Sequence, residues 1–303
     1  MRGRVLAILA TVLGLAAPLG AAVEPRFFIM GSGTLTLRSR ATGEQATVRY
    51  RQPDGRYDYV AFGELQRILR SKGGGAQKEL SPRFVEVLAY VSDRIGQPLL
   101  VLSGYRTPAY NDGLRRRGRK AAGGSLHTEG LAADIAVPRD RLYPLWTHLR
   151  GLECCGAGYY ASQGFLHVDV GKPRFWEAST SRTDEDLSGG NARVLVRTDF
   201  DRYTAGEMML VRLHAVTAPP IRIARAARLV PEGGGAPAAL VVEDVDAPPG
   251  VGKSDDCLVV DAATRLLVKG ARRVARGRVV FATCPPRAER TPESIETNPV
   301  SIR

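Results

Sequence analysis

Ser125-Leu-His127-Thr-Glu-Gly130-Leu-Ala132-Ala-Asp134, completed by Phe165-Leu-His167-Val-Asp169-Val-Gly171, is the stretch on which the reading of this chain turns. Only four histidines occur in 303 residues, and two of them stand in these segments beside acidic residues at strand spacing. Residues two apart on a strand face the same side. Phe165, His167 and Asp169 therefore share one face, and Leu166, Val168 and Val170 share the other. The aliphatic face suits a core and leaves the histidine and aspartate looking into a cleft. Ala132, Asp134 and Ala136 share a face in the same way, and the small alanines leave room beside the carboxylate. If the two strands are neighbours, Asp134 and His167 reach one ion, and His127 on the preceding loop supplies a third ligand.

Two histidines and one carboxylate with an open fourth position form the donor set of catalytic rather than structural zinc. Such an ion lowers the pKa of its bound water to about 7 and polarises a carbonyl, and hydrolysis of an amide uses both effects. On spacing alone, two strand histidines that are merely satisfied core polar groups fit equally well.

Around this centre the chain divides by pattern. Met1-Arg-Gly-Arg4, the apolar run Val5 to Leu19 and the small residues up to Ala22 predict a secretory signal peptide over 1–22. The run is short for a membrane span of about 20 residues, and no later segment is apolar enough to cross. Thr34-Leu-Thr-Leu-Arg and Ala46-Thr-Val-Arg-Tyr50 alternate as a β-hairpin, with a second turn at Pro53-Asp-Gly55. A helix ends near Ser71. Ser81-Pro82 opens another, with Phe84, Leu88, Val91 and Ile95 as its apolar stripe and Gly96 as its stop. Leu99 to Leu102 reads as a buried strand. Short helices follow near Tyr110–Leu114 and Arg141–Leu149. Residues 178–191 are polar and end in glycines, as a linker does. From 192 to 303 short alternating strands separated by Gly- and Pro-rich turns predict an all-β, sandwich-like domain. The expected architecture is thus α+β: a small antiparallel sheet with flanking helices over 28–177, carrying the metal site, followed by the β-domain.

Lysine and arginine outnumber aspartate and glutamate, 43 to 31. In an exported protein this balance favours anionic envelope polymers over nucleic acid as partners. Export also favours disulfides. Cys257 and Cys284 could close a loop in the β-domain, worth about 3–4 kcal/mol by loop entropy. Cys154 and Cys155 are adjacent, which suggests two small buried residues or partners elsewhere. His148 and His214 lack acidic neighbours at ligand spacing and are assigned no role.

Ser125-x-His127-x-x-Gly130-x-Ala132-x-Asp134 resembles in full the signature of D-Ala-D-Ala carboxypeptidase-type zinc peptidases, within the wider lysostaphin, D-Ala-D-Ala peptidase and hedgehog group. Leu35-Thr-Leu, Thr42-Gly-Glu, Ser103-Gly-Tyr-Arg106, Gly158-Tyr-Tyr160 and Phe165-Leu-His-Val-Asp169 resemble its murein endopeptidase K branch more closely. The similarity covers roughly residues 28–177, about half the chain. It implies one zinc ion on His127, Asp134 and His167, and substrate contacts from Arg106, Ser125 and Tyr160. Arg106 would hold a substrate carboxylate or stabilise the oxyanion. It also implies peptidoglycan stem peptides as substrate and a periplasmic or secreted location. Carboxypeptidase relatives place a glutamate base three residues before the last histidine ligand, where this chain has Gly164. Asp169, on the His167 face and about 7 Å along the strand, is the expected replacement, with a role as an orienting partner of a ligand as its alternative and Glu129 a more distant candidate. The resulting expectation is a zinc endopeptidase of peptidoglycan cross-links, at a D-Ala–diaminopimelate or diaminopimelate–diaminopimelate bond. A D,D-carboxypeptidase and a non-catalytic wall-binding protein are its rivals.

Overall fold

The alternation at Thr34 and Ala46 folds as a hairpin of β1 (Thr34–Ser39) and β2 (Gln45–Arg49), paired antiparallel with Leu35 and Leu37 buried. The computed structural model describes residues 24–72, 74–119, 121–181, 190–246, 256–269 and 273–303. The expected signal peptide and most of the expected linker lie outside the described residues.

Helix α1 (Tyr59–Ile68) starts at Asp58, whose carboxylate accepts from the backbone N–H of Val60 and Ala61. Helix α2 (Pro82–Ile95) starts at Ser81, whose hydroxyl accepts from Phe84 N, and stops at Gly96, as the sequence predicts. Its stripe of Phe84, Leu88, Val91 and Ile95 is buried. After β3 (Leu99–Ser103) come α3 (Pro108–Arg116), a 3-10 turn at Leu126–Glu129, β4 (Ala132–Ala136), α4 (Arg139–Leu152), β5 (Gly156–Tyr160), β6 (Phe165–Asp169) and β7 (Arg174–Glu177). Cys154 and Cys155, between α4 and β5, are bonded to each other rather than to a distant partner.

The sheet is larger than predicted and mixed. Its seven strands run β2-β1-β3-β4-β6-β5-β7, with β1 parallel to β3 and β7 parallel to β5. The reason is the connections. Both α1 and α2 lie between the hairpin and β3, long enough to carry the chain back and set β3 parallel to β1. Chain reversal after β6 then takes β7 to the far edge of β5.

A second sheet holds β8 (Leu195–Thr198), β9 (Arg202–Tyr203), β10 (Met208–His214), β11 (Ile221–Pro231), β12 (Ala238–Asp246), β13 (Cys257–Val260), β14 (Arg265–Lys269), β15 (Val274–Thr283), β16 (Ser294–Glu296) and β17 (Val300–Ile302). These ten strands hydrogen-bond as one network and bury their own apolar cluster. Strand β11 makes the network continuous: its first half pairs with β13, its second half with β12, and β15 runs along its other side across a register shift. Cys257 and Cys284 are bonded, tying β13 to the end of β15.

The two sheets meet at Asp201. It pairs with Arg83 of α2 and accepts from Phe28 N at 2.9 Å and Asn298 Nδ2 at 3.0 Å. Phe200 packs on Phe27 and Tyr57 with ring centroids 5.5 and 6.3 Å apart. Leu195 of β8 buries in the first cluster although β8 hydrogen-bonds within the second sheet.

Glu86 stands among the apolar residues of α2 and is fully buried. Its carboxylate takes hydrogen bonds from Tyr50 Oη (2.7 Å), Tyr57 Oη (2.8 Å), Gly31 N (2.9 Å) and Arg51 Nε (2.7 Å). Removing it leaves a partly buried guanidinium and three other donors without their acceptor. Glu86→Ala is expected to lose about 3–5 kcal/mol, read as a lower urea midpoint with an unchanged slope. A loss below about 1 kcal/mol would show that solvent reaches the cluster and replaces the carboxylate.

Candidate metal centre

Register brings the central pair together. Strands β4 and β6 are antiparallel neighbours with Asp134 directly opposite His167, while Ile135 and Leu166 point into the core. His127 arrives on the 3-10 turn just before β4. Ser125 caps that turn by accepting from His127 N at 3.3 Å. Gly130 closes it at φ 69°, a left-handed conformation that explains glycine at this place in the motif.

The three side chains converge. His127 Nε2 lies 3.3 Å and His167 Nδ1 3.0 Å from Asp134 Oδ1, and the two ring nitrogens are 3.2 Å apart. One donor atom from each residue lies within 4.8 Å of the others, and all three residues are buried.

The outer partners set which ring atom faces inward. His127 Nδ1–H donates to the Gly104 carbonyl at 2.7 Å, which leaves the Nε2 lone pair facing the cluster. His167 Nε2 meets Asp169 Oδ2 at 2.9 Å, so its Nδ1 is the inward atom. Two nitrogen lone pairs and a carboxylate oxygen around one point need a positive centre between them. Either a proton or a metal ion meets that need, and the donor set fits a divalent metal.

Charge follows the same geometry. Burial pushes the His127 imidazole toward its neutral form. Burial alone would raise Asp134, but the two histidines hold it well below the usual carboxylate range. Burial also works against a charged His167, and the hydrogen bonds to Asp134 and Asp169 outweigh it and raise its pKa. The neutral ring and the ionised carboxylate are the forms that bind metal.

Asp169 meets His167 on the ring edge away from the cluster. It is fully buried. Its other contacts are Gly171 N at 2.8 Å and Arg174 Nη2 at 2.8 Å. Burial would raise its pKa, but Arg174 and His167 hold it at about 2. The strand-parity reading put Asp169 correctly on the His167 face. Two residues along the strand, its carboxylate stands against the imidazole itself, which suits the orienting role given above as the alternative. Gly164 lies in the turn between β5 and β6, so no carboxylate stands at the carboxypeptidase position.

Arg106 donates from Nη2 to Asp134 Oδ2 at 2.6 Å and from Nε to Ser103 Oγ at 2.9 Å. It lines a cavity of about 560 Å³ together with Ser125, Tyr160, Phe165 and Trp176. Tyr160 stacks on Phe165 with centroids 4.3 Å apart and accepts from Trp176 Nε1 at 3.1 Å, while Trp176 lies 5.2 Å from the His167 ring. Sequence reasoning missed Arg174 and Trp176, which stand beside the site because β7 pairs with β5 on the side away from β6. His148 hydrogen-bonds to Tyr90 through Nε2 at 2.7 Å, away from this site.

An α+β sheet with a buried His–Asp–His cluster on the floor of an open cleft belongs to the metallopeptidase class. The family model described as peptidoglycan L,D-endopeptidase MepK matches residues 29–176. The peptidoglycan L,D-endopeptidase MepK of Escherichia coli strain K12 is 30% identical over 145 residues, 47% of this chain and 79% of that protein. The probable peptidoglycan L,D-endopeptidase MepK of Haemophilus influenzae is 27% identical over 146 residues, 47% of this chain and 78% of its own. No solved structure gives a significant match. The chain belongs to the peptidoglycan L,D-endopeptidase MepK family of metallopeptidases.

His127→Ala should abolish tight binding of one divalent ion per chain, measured by titration against a chelating dye, while the circular dichroism spectrum stays native. Asp169→Asn should keep the fold and weaken the same binding about 10- to 100-fold. Unchanged affinity in Asp169→Asn would remove its orienting role.

Proposed function

We propose that this chain is a zinc endopeptidase that cuts peptide cross-links of peptidoglycan in the periplasm or outside the cell. The observation that carries the reading is the cluster of His127, Asp134 and His167 opening onto the cavity within the stretch matched by the MepK family. Two nitrogens and one carboxylate oxygen with the fourth side toward the cavity favour zinc in a catalytic setting. The L,D in the relatives' names favours the diaminopimelate–diaminopimelate bond over D-Ala–diaminopimelate. The apolar, basic-led residues 1–22 support export, and among the described residues no helix is long and apolar enough to cross a membrane.

Zinc held here would polarise the scissile carbonyl and lower the pKa of a water. The chain's own groups position and neutralise. Arg106 fixes Asp134 through Oδ2, which turns Oδ1 to the cluster, and among the described residues its Nη1 has no partner. That edge is free to stabilise negative charge growing on the carbonyl oxygen or to hold a substrate carboxylate. Arg174 and Asp169 fix the His167 ring. Tyr160, Phe165 and Trp176 offer an aromatic wall for the stem peptide. Among the described residues Asp134 is the only carboxylate lining the cavity. Gly164 in place of a glutamate argues against the carboxypeptidase rival.

Purified sacculi incubated with the zinc-loaded mature protein, followed by mass analysis of soluble muropeptides, test the reading. Monomers should rise at the expense of dimers. Loss of terminal D-Ala alone would identify a carboxypeptidase, and unchanged muropeptides with protein retained on sacculi would identify a binding protein. Arg106→Ala is expected to lower kcat/KM about 100- to 1000-fold, the range for removing a transition-state donor.

A further inference from the structure

One wall of the cleft comes from outside the matched stretch. Ala192, Arg193, Val194 and Leu195, leading into β8, line the cavity together with the residues of the metal cluster. Leu195 is buried in the first cluster and Val194 packs against the second, so the backbone carrying Arg193 is fastened on both sides.

Arg193 is placed with some care. It lies against Gly124, where an added Cβ would come within 2.8 Å of Arg193 Nη1 and 2.9 Å of its Cδ. A side chain at position 124 would force the arginine side chain to shift. The side chain is half-buried, yet no hydrogen bond or ion pair engages its guanidinium among the described residues. The other cations of the cleft each have an acidic partner: Arg106 has Asp134, which leaves only its Nη1 edge open, Arg174 has Asp169, and Lys172 has Glu296 at 3.8 Å. Burial and the neighbouring Arg174 push the Arg193 pKa down, and the carboxylates of Asp169 and Glu129, neither in ion-pair contact with its guanidinium, offset only part of that. A guanidinium drawn out of water without a partner is costly unless an anion arrives to meet it.

We infer that Arg193 is a specificity-determining residue that holds a free carboxylate of the peptide substrate, in a subsite separate from Arg106 and supplied by the β-domain. The inference rests on the peptidase reading above and deepens it. A planar fork of donors matches a carboxylate, and stem peptides carry free carboxylates beside the cross-link. A substrate whose carboxylate is converted to the amide would leave Arg193 unpaired and bind less well.

The test uses a cross-linked stem-peptide dimer with free diaminopimelate carboxylates and its amidated twin. Binding to the full chain is read by calorimetry without added metal, and kcat/KM is read with zinc. The wild-type protein should prefer the carboxylate form about 10- to 100-fold in both readouts, the range of a charge-assisted hydrogen bond. Arg193→Gln should bring that ratio near one, and Arg193→Lys should restore part of it. A ratio unchanged in Arg193→Gln would overturn the inference, because a merely structural arginine would weaken both substrates alike. If the dimer binds with the expected preference and is never cut, the peptidase reading fails and the subsite stands. If it is cut without any preference, the subsite fails and the peptidase stands.

Discussion

The pairing of β4 with β6 is the constraint on which this molecule depends. Antiparallel register sets Asp134 opposite His167, and side-chain alternation then fixes everything else about the pair. A slip of β6 by one residue would turn His167 into the core and bring Leu166 into the cleft. Burial of such aliphatic side chains is what forbids the slip, at about 1.5–3 kcal/mol for each large side chain kept from water. The polar centre is thus positioned by its apolar neighbours. Around it the histidines are held from behind, His127 by the Gly104 carbonyl and His167 by Asp169, so that the inward nitrogens are set before any ligand is bound.

Local rules read much of this from the chain. The Ser81 cap and Gly96 stop bounded α2, and strand parity put His167 and Asp169 on one face. What escaped was set by long-range pairing. The parallel placement of β1 beside β3 and of β7 beside β5 follows from where connections run, which no local pattern records. Asp169 illustrates the limit well. Parity gives a face, but the distance that separates a base from an orienting partner depends on ring rotation and on Arg174, five residues on. Glu86 escaped for the opposite reason: one acidic residue in an apolar helix looks solvated until four donors from other segments close over it.

The second sheet is more than an appendage. Leu195 is shared with the first core, Asp201 collects partners from the N-terminal segment, from α2 and from Asn298, and residues 192–195 close the cleft. The expected boundary near residue 191 therefore marks a change of pattern, while the packing runs across it. Matches to the MepK relatives end at the edge of the first sheet, and the charge facing the substrate does not.

Asn298 carries a consequence for the order of events in folding. Its side chain accepts from Thr198 N at 3.0 Å and donates to Thr198 Oγ1 at 2.9 Å, fastening β8 from a point a hundred residues further along the chain. Such a closure comes late, because a long loop must lose its freedom before the contact returns anything. The metal ligands all lie within a span of forty residues and can gather early. In a chain emerging from its N-terminus, the ion site would be complete while one wall of the groove still waited for the final strand.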